Sequence, residues 1–584
     1  MKLIVNFILF LFIFQTFVIP ASAQDTENQP ESSTGYEEKG AVSGKEIMIV
    51  TANPIATEAG YDVLESGGTA ADAVFAAQLV LGLVEPQSSG LGGGGFALYW
   101  DAAEEQLYTY DGRETAPASI KEDVFLNADG QPMDFYEASI GGRAVGIPGI
   151  PKLLDTLYTK HGGKVSRDII FEPAMQLAEY GFFASPRLAA LIEANKPHFR
   201  YFQSTKDYFT PNGAPIELGS NIKNDEYLSV LKSFKEGGES IFYTGEIGKN
   251  IQEAVNGAWY NPGNISDDDL AQYTVIERPA VCGIYRVYKV CSMGEPSSGG
   301  LTLIQALQLL DRFDLETHSP NSPQAWHLIA EASRLAFADR VKYMSDPDFV
   351  QTPGTSLLNP AYVAVRSSMI DPGKAMESVE AGIPLNWDNQ ALGVDKSVEK
   401  PGTTHIVAVD KYGNTVSMTS TIETAFGSKL MVDGFLLNNQ LTDFSFLPSD
   451  KNGNPIANKV EGGKRPRSSM SPVIVFDIND RPILLIGSAG GSRIIGYTLQ
   501  RIISILDWGI SVDNALSMPH ILTIGNSIEI EEGFEDFINT SIFEKYGHKV
   551  KVKELNSGLT AAYFLDDHWV GAADPRREGM AQGR

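Results

Sequence analysis

The chain has 584 residues and a formal net charge of −27, which argues against nucleic acid or an anionic membrane surface as partner because like charges repel. Its length allows several domains or one large α/β body. Two cysteines exclude a disulfide framework and a cysteine zinc site.

Lys2 precedes an apolar run at 3–19 and then Pro20-Ala21-Ser22-Ala23. A basic start, an apolar core and a small-x-small end predict a secretory signal at 1–23, cut after Ala23. The alternative, a membrane anchor, is disfavoured by the short apolar stretch. No later stretch is apolar and long enough to span a bilayer, and no cysteine follows for lipid attachment. The mature protein is then exported, to the periplasm or the medium. Residues 24–44, rich in Glu, Ser, Thr and Gln, predict a disordered tail.

Residues 47–50 read as a short buried strand, followed by helices at 55–65 and 70–84. The run Gly90-Leu91-Gly92-Gly93-Gly94-Gly95 matches G-x-G-x-x-G in letters only. A dinucleotide site needs a strand before it and a helix after. Here a helix precedes and a strand at 96–100 follows, so the glycines predict close backbone packing near a pocket. After a second strand at 108–111 comes Arg113, placed where an arginine can clamp a carboxylate or simply face solvent. Residues 144–199 carry helical spacing and read as scaffold.

A hairpin at 281–291 with its turn at 285–288 sets Cys282 opposite Cys291, which permits a disulfide in an oxidising compartment or leaves two thiols. Pro296-Ser297-Ser298-Gly299-Gly300 opens a helix at 301–313, and a longer helix spans 323–344. Residues 374–400 are polar and predict an exposed loop.

That loop leads to Gly402-Thr403-Thr404-His405. Residues 403–410 and 415–421 are β-branched or small and flank a turn at Asp410-Lys411-Tyr412-Gly413-Asn414, the signature of a hairpin. Its register, centred near Tyr412, sets Thr403 opposite Thr421 to within one residue. A threonine hydroxyl needs a base, and no local histidine is placed to serve, since His405 lies on the same strand face. A threonine at the head of a chain carries its own base, an α-amine with pKa near ~8. That requires a cut between Gly402 and Thr403. Thr421 is then the group that orients the nucleophile. A threonine pair in a strand is also ordinary structure.

Beyond the hairpin, a strand at 434–444 carries Asn438, Asn439, Gln440 and Asp443; Gln440 and Asp443 offer acceptors to a ligand ammonium, and Asn-rich turns give the same pattern. A loop spans 446–463. Ser468 and Ser469 offer hydroxyls to a carboxylate before a strand at 473–476. A strand at 482–486, a loop with Gly490 and Gly491, and a helix to 506 form an anion hole of backbone N–H groups. The lysine and serine/threonine of a P-loop are absent. Two strands, at 561–565 and 569–573, close the chain.

Together these motifs resemble the γ-glutamyltranspeptidases (glutathione hydrolases) of the N-terminal nucleophile hydrolase superfamily. The likeness rests on the run 90–95, Arg113, 296–300, Thr403-Thr404-His405, Leu437-Asn438-Asn439-Gln440, Ser468-Ser469 and Gly490-Gly491. The resemblance implies an α/β (α+β) fold, a four-layer αββα sandwich, and a precursor cut into chains 45–402 and 403–584. It implies that Thr403 is the nucleophile, Thr421 its hydroxyl partner, and Gly490 and Gly491 the oxyanion hole. Arg113, Ser468 and Ser469 would hold the substrate α-carboxylate, and Glu423, Gln440 and Asp443 its α-amine. The implied activity is hydrolysis or transfer of the γ-glutamyl group of glutathione and related compounds to water, amino acids or peptides. It needs no metal or other cofactor.

Three features depart from the family. Arg467 stands before the serine pair where many members have leucine, adding charge at the pocket rim. Ala489 replaces a common proline. The loop 446–463, which matches a lid, has no tyrosine. The same fold also serves cephalosporin acylases and enzymes of poly-γ-glutamate, and an uncleaved, inactive binding protein is a third reading.

Overall fold

The computed structural model describes residues 35–584 except 386, 388–390, 398 and 526. The proposed signal and residues 24–34 lie outside the described residues. Alternation along the strands explains the layers, because successive side chains point to opposite faces. Ile406 and Ala408 pack with Ile49, Ala97, Val416 and Met418 against the helices of the first half. Val407 and Val409, on the opposite face, join Met48, Val50, Phe96, Leu98, Ile474, Phe476 and Leu485 in a core between two sheets. Val473, Val475, Leu484 and Ile486 turn outward onto a second helical layer. Both sheets are thus buried on both faces, giving four layers, αββα.

Each sheet has seven strands. One runs in spatial order Met580–Gly583, Met48–Thr51, Thr403–Val409, Thr415–Thr421, Gly94–Asp101, Gln106–Gly112 and Ile276–Arg278. The other runs Val42–Gly44, His568–Ala573, Thr560–Leu565, Pro482–Gly487, Val473–Phe476, Tyr288–Ser292 and Val281–Tyr285. Every pairing within them is antiparallel. The helix Ala70–Val84 is buried along its whole length beneath the first sheet, and a capping box of Thr69 and Asp72 fixes its start. The helices Gly299–Leu310, Pro323–Tyr343 and Ile494–Leu506 cover the second sheet.

The central hairpin has the expected register, Thr403 opposite Thr421 and Val409 opposite Thr415. Cys282 pairs with Cys291, and their sulfurs are bonded. Other expectations are corrected. The tail is not disordered to its end: Val42–Gly44 is an edge strand on His568–Ala573. Gln440 to Asp443 do not continue a strand; after Phe435–Leu436 the chain turns into a 3-10 helix, Gln440–Asp443. The loop at 374–400 is not exposed throughout, since Leu392, Asp395 and Glu399 are buried. A third closing strand, Met580–Gly583, was missed, as was the small sheet Ile521–Ile524, Ser527–Glu531 and Lys549–Lys553. Among the described residues no helix is long and apolar enough to cross a membrane.

Candidate active site

Thr403 begins its strand on the face that looks into the gap between the sheets. Thr421 stands across from it. The Thr421 hydroxyl accepts from Glu423 N at 2.8 Å and donates to Gly402 O at 2.6 Å. The backbone N–H fixes the direction of that hydroxyl, so its proton points at the carbonyl of the Gly402–Thr403 bond. A donor so placed stabilises negative charge growing on that oxygen. Gly402 is required there, since a Cβ would lie 2.0 Å from Glu423 O. The glycine run approaches from the other side: a Cβ on Gly93 would lie 2.0 Å from Thr421 O. These glycines serve close packing, as the sequence suggested.

One cavity gathers Arg113, Glu399, Lys400, Thr403, Thr421, Glu423, Gln440, Asp443, Ser468, Ser469 and Gly491 among its walls. It thereby contains every residue expected to act on the substrate except Gly490; Gly402 and the pair Cys282 and Cys291 also lie outside its lining. Gly490 (φ 133°) and Gly491 (φ 58°) link Pro482–Gly487 to the helix. Gly491 lines the cavity, whereas Gly490 packs on the Tyr497 ring.

Arg113 is fully buried. Its Nη2 donates to Asp443 Oδ2 at 2.6 Å and to Arg467 O at 3.0 Å, and its Nε donates to Pro466 O at 3.1 Å. Gln440 Nε2 donates to the same Asp443 oxygen at 2.6 Å. Three buried atoms make no hydrogen bond: Arg113 Nη1, a donor, and Gln440 Oε1 and Asp443 Oδ1, both acceptors. Unmet buried polar groups are uncommon in folded proteins. This set of one cationic donor and two acceptors fits a ligand carrying a carboxylate beside an ammonium.

Burial raises the carboxylates here. The Asp443 pKa is pushed up to about 6, with Arg113 opposing the rise. Glu423, bonded to Asn439, is pushed well above the usual range by burial and by Asp443. Burial holds His405 neutral, its pKa down at about 3. His405 Nδ1 bonds Thr419 Oγ1 at 2.8 Å, away from Thr403.

Sequence reasoning missed Arg340 and Glu399. The Arg340 Nη2 bonds the Glu399 carboxylate and donates to Ser469 Oγ at 2.6 Å. A signal was present: the helix Pro323–Tyr343 carries Glu331, Arg334, Asp339 and Arg340 amid alanines, and all four are buried. Arg467 was expected at the rim and is instead buried, 3.0 Å from Asp395 Oδ2 and 3.7 Å from Glu399 Oε1. Elsewhere, His327, Glu331 and His548 bring ligand-type atoms within 4.8 Å of one another. They are already bonded: His327 to His548 and to Asp371 O, each at 2.7 Å, and Glu331 to Arg334 at 2.6 Å and to Met376 N at 2.7 Å.

An αββα sandwich with a threonine heading an inner strand is the architecture of the N-terminal nucleophile hydrolases. The crystal structure of cephalosporin acylase from Bacillus halodurans superposes with a TM-score of 0.82 at 25% identity, covering 95% of this chain and 99% of that one. The family model for gamma-glutamyltranspeptidase matches residues 56–584, and the chain belongs to that family. It is 35% identical over 575 residues to a glutathione hydrolase proenzyme of Bacillus subtilis (strain 168), covering 96% of this chain and 94% of the relative. It is 34% identical over 568 residues to the glutathione hydrolase proenzyme of Escherichia coli (strain K12), covering 95% of each.

Proposed function

We propose that the chain is a self-processing, exported γ-glutamyl hydrolase and transferase acting on glutathione and related γ-glutamyl compounds. The observation that carries this reading is the meeting, in one cavity, of Thr403 with Arg113, whose Nη1 makes no hydrogen bond and lies 3.7 Å from Glu114 Oε2, and with the unmet Gln440 Oε1 and Asp443 Oδ1. A γ-glutamyl head group is a zwitterion, and it supplies a carboxylate to the first and an ammonium to the others.

In processing, Thr403 Oγ1 attacks the Gly402 carbonyl, whose oxygen takes the Thr421 proton bond. The peptide C–N bond breaks, and the Thr403 nitrogen leaves as an amine. Water then hydrolyses the ester. The freed amine accepts the hydroxyl proton when Oγ1 attacks the γ-carbonyl of a donor. The oxyanion falls to the N–H groups at Gly490 and Gly491. The leaving amine takes the proton, and the γ-glutamyl ester passes to water or an acceptor amine. Arg113, Ser468 and Ser469 take the α-carboxylate; Glu423, Gln440 and Asp443 take the amine. The basic, apolar and small-residue pattern at 1–23 supports export.

The acylase structure supports a second reading on the same fold. An acyl group without an α-amine leaves Gln440 Oε1 and Asp443 Oδ1 unmet, which favours the γ-glutamyl donor. The test is an SDS gel, N-terminal sequencing and release of nitroaniline from L-γ-glutamyl-p-nitroanilide. Two bands, the smaller of 182 residues (584 − 402) and starting at Thr403, are expected. One unbroken active chain overturns the mechanism, and processing without release points to the acylase reading.

A further inference from the structure

The segment before the cut occupies the cavity that the substrate needs. Glu399 and Lys400 form part of its wall, and the Glu399 and Lys400 carbonyls lie against Gly491. The free space between these walls is about 20 Å³, room for about one water molecule. No amino-acid head group enters while residues 399 and 400 stay in place.

The manner of occupation is specific. The Glu399 carboxylate is buried and bonds Arg340 Nη2, with Arg467 Nε at 3.7 Å. The same Arg340 Nη2 donates to Ser469 Oγ at 2.6 Å, and Ser469, which lines the cavity with Glu399, is one of the two serines assigned to the donor's α-carboxylate. Burial opposes its ionisation, but Arg340 and Arg467 hold its carboxyl below the usual range. Among the described residues, the ion-pair partners of Arg467 are Asp395 and Glu399, and that of Arg340 is Glu399. All of these acids lie in the segment that must withdraw. Both arginines are buried, and Arg467 Nε and Nη2 make no hydrogen bond. Two buried guanidinium groups without an anion are costly, so the vacated position favours another carboxylate.

We propose that Glu399 is an internal stand-in for the donor's α-carboxylate, and that Arg340 and Arg467, with Ser469, bind that carboxylate in the processed enzyme. The proposal rests on the γ-glutamyl reading above and extends its binding set by two residues. It also gives a reason for arginine at 467: it anchors the lead-in before cleavage and the substrate after it.

The test compares two donors on processed enzyme, L-γ-glutamyl-p-nitroanilide and 4-aminobutyryl-p-nitroanilide, which lacks only the α-carboxylate. Arg340→Gln and Arg467→Gln are each expected to raise KM for the first donor by at least ~10-fold with little change in kcat. They leave kcat/KM for the second donor within about 2-fold, and Arg467→Lys recovers part of the loss. A purely structural role lowers both donors together. Preparations are compared at equal content of self-cleaved chains, so misfolding is not read as weak binding. Parallel loss on both donors, or an unchanged KM on the first, overturns the proposal while the γ-glutamyl reading stands. Wild-type enzyme that releases nothing from the first donor overturns both.

Discussion

The two ends of the central hairpin each carry a buried acid, Asp410 and Glu423, and do opposite things. At the closed end Asp410 is saturated. Its Oδ1 accepts from Tyr412 N at 2.9 Å and Asn414 N at 3.0 Å, and its Oδ2 from Ala70 N and Asn414 Nδ2, both at 2.9 Å. At the open end Glu423 holds a left-handed backbone (φ 77°), Thr421 is aimed at a peptide carbonyl, and neighbouring donors and acceptors are unmet. Strain and unmet polar groups in an otherwise satisfied fold are where function is expected. The closed end holds the strands in register so that the open end can keep its geometry.

The difference can be tested from its largest expected effect downward. Thr403→Ala removes the proposed nucleophile of both reactions. Self-cleavage on a gel and nitroaniline release should each fall by at least ~10³-fold. Gly402→Ala drives a Cβ into Glu423 O, and Thr421→Val removes the proton aimed at the Gly402 carbonyl. Each should slow processing by about 10²-fold or more, measured as the half-life of the full-length band. In the proposed turnover Asp443 accepts from the donor's ammonium and must be ionised to do so, and its pKa is pushed up to about 6. Falling pH protonates it, so kcat/KM should drop as pH falls through about 6, and Asp443→Asn should lose that limb along with most activity. Asp410→Ala at the closed end strands four donors and should cost about 2–3 kcal/mol of stability in denaturant unfolding. The rate per folded molecule should be unchanged; a change in it would mean that the two ends are not separable.

Much of this was legible in the chain. Residue types marked the two strands, and a five-residue turn with acidic, glycine and asparagine chemistry, centred near Tyr412, set the register that pairs Thr403 with Thr421. The pairing of Cys282 with Cys291 followed from the same logic. The four layers, Arg113 and the serine pair came from resemblance, not from periodicity. Not legible was the burial of Leu392, Asp395 and Glu399 within a polar stretch whose acids read as solvated until Arg340 and Arg467 are brought to them. The turn at Gln440–Asp443 was hidden too, since amide-rich residues suit strand ends and 3-10 turns alike.

The sequence by itself determined the local facts: where strands turn, which threonine faces which, and that Gly402 precedes a threonine. These depend on neighbours within a few residues, where steric and hydrogen-bond preferences act directly. Only the tertiary structure decided which charges meet. Arg113 reaches Asp443 across 330 positions and Arg340 reaches Ser469 across 129. Contacts at that separation exist only once two sheets have closed on a common core, and the same closure that excludes water gives those charges their strength.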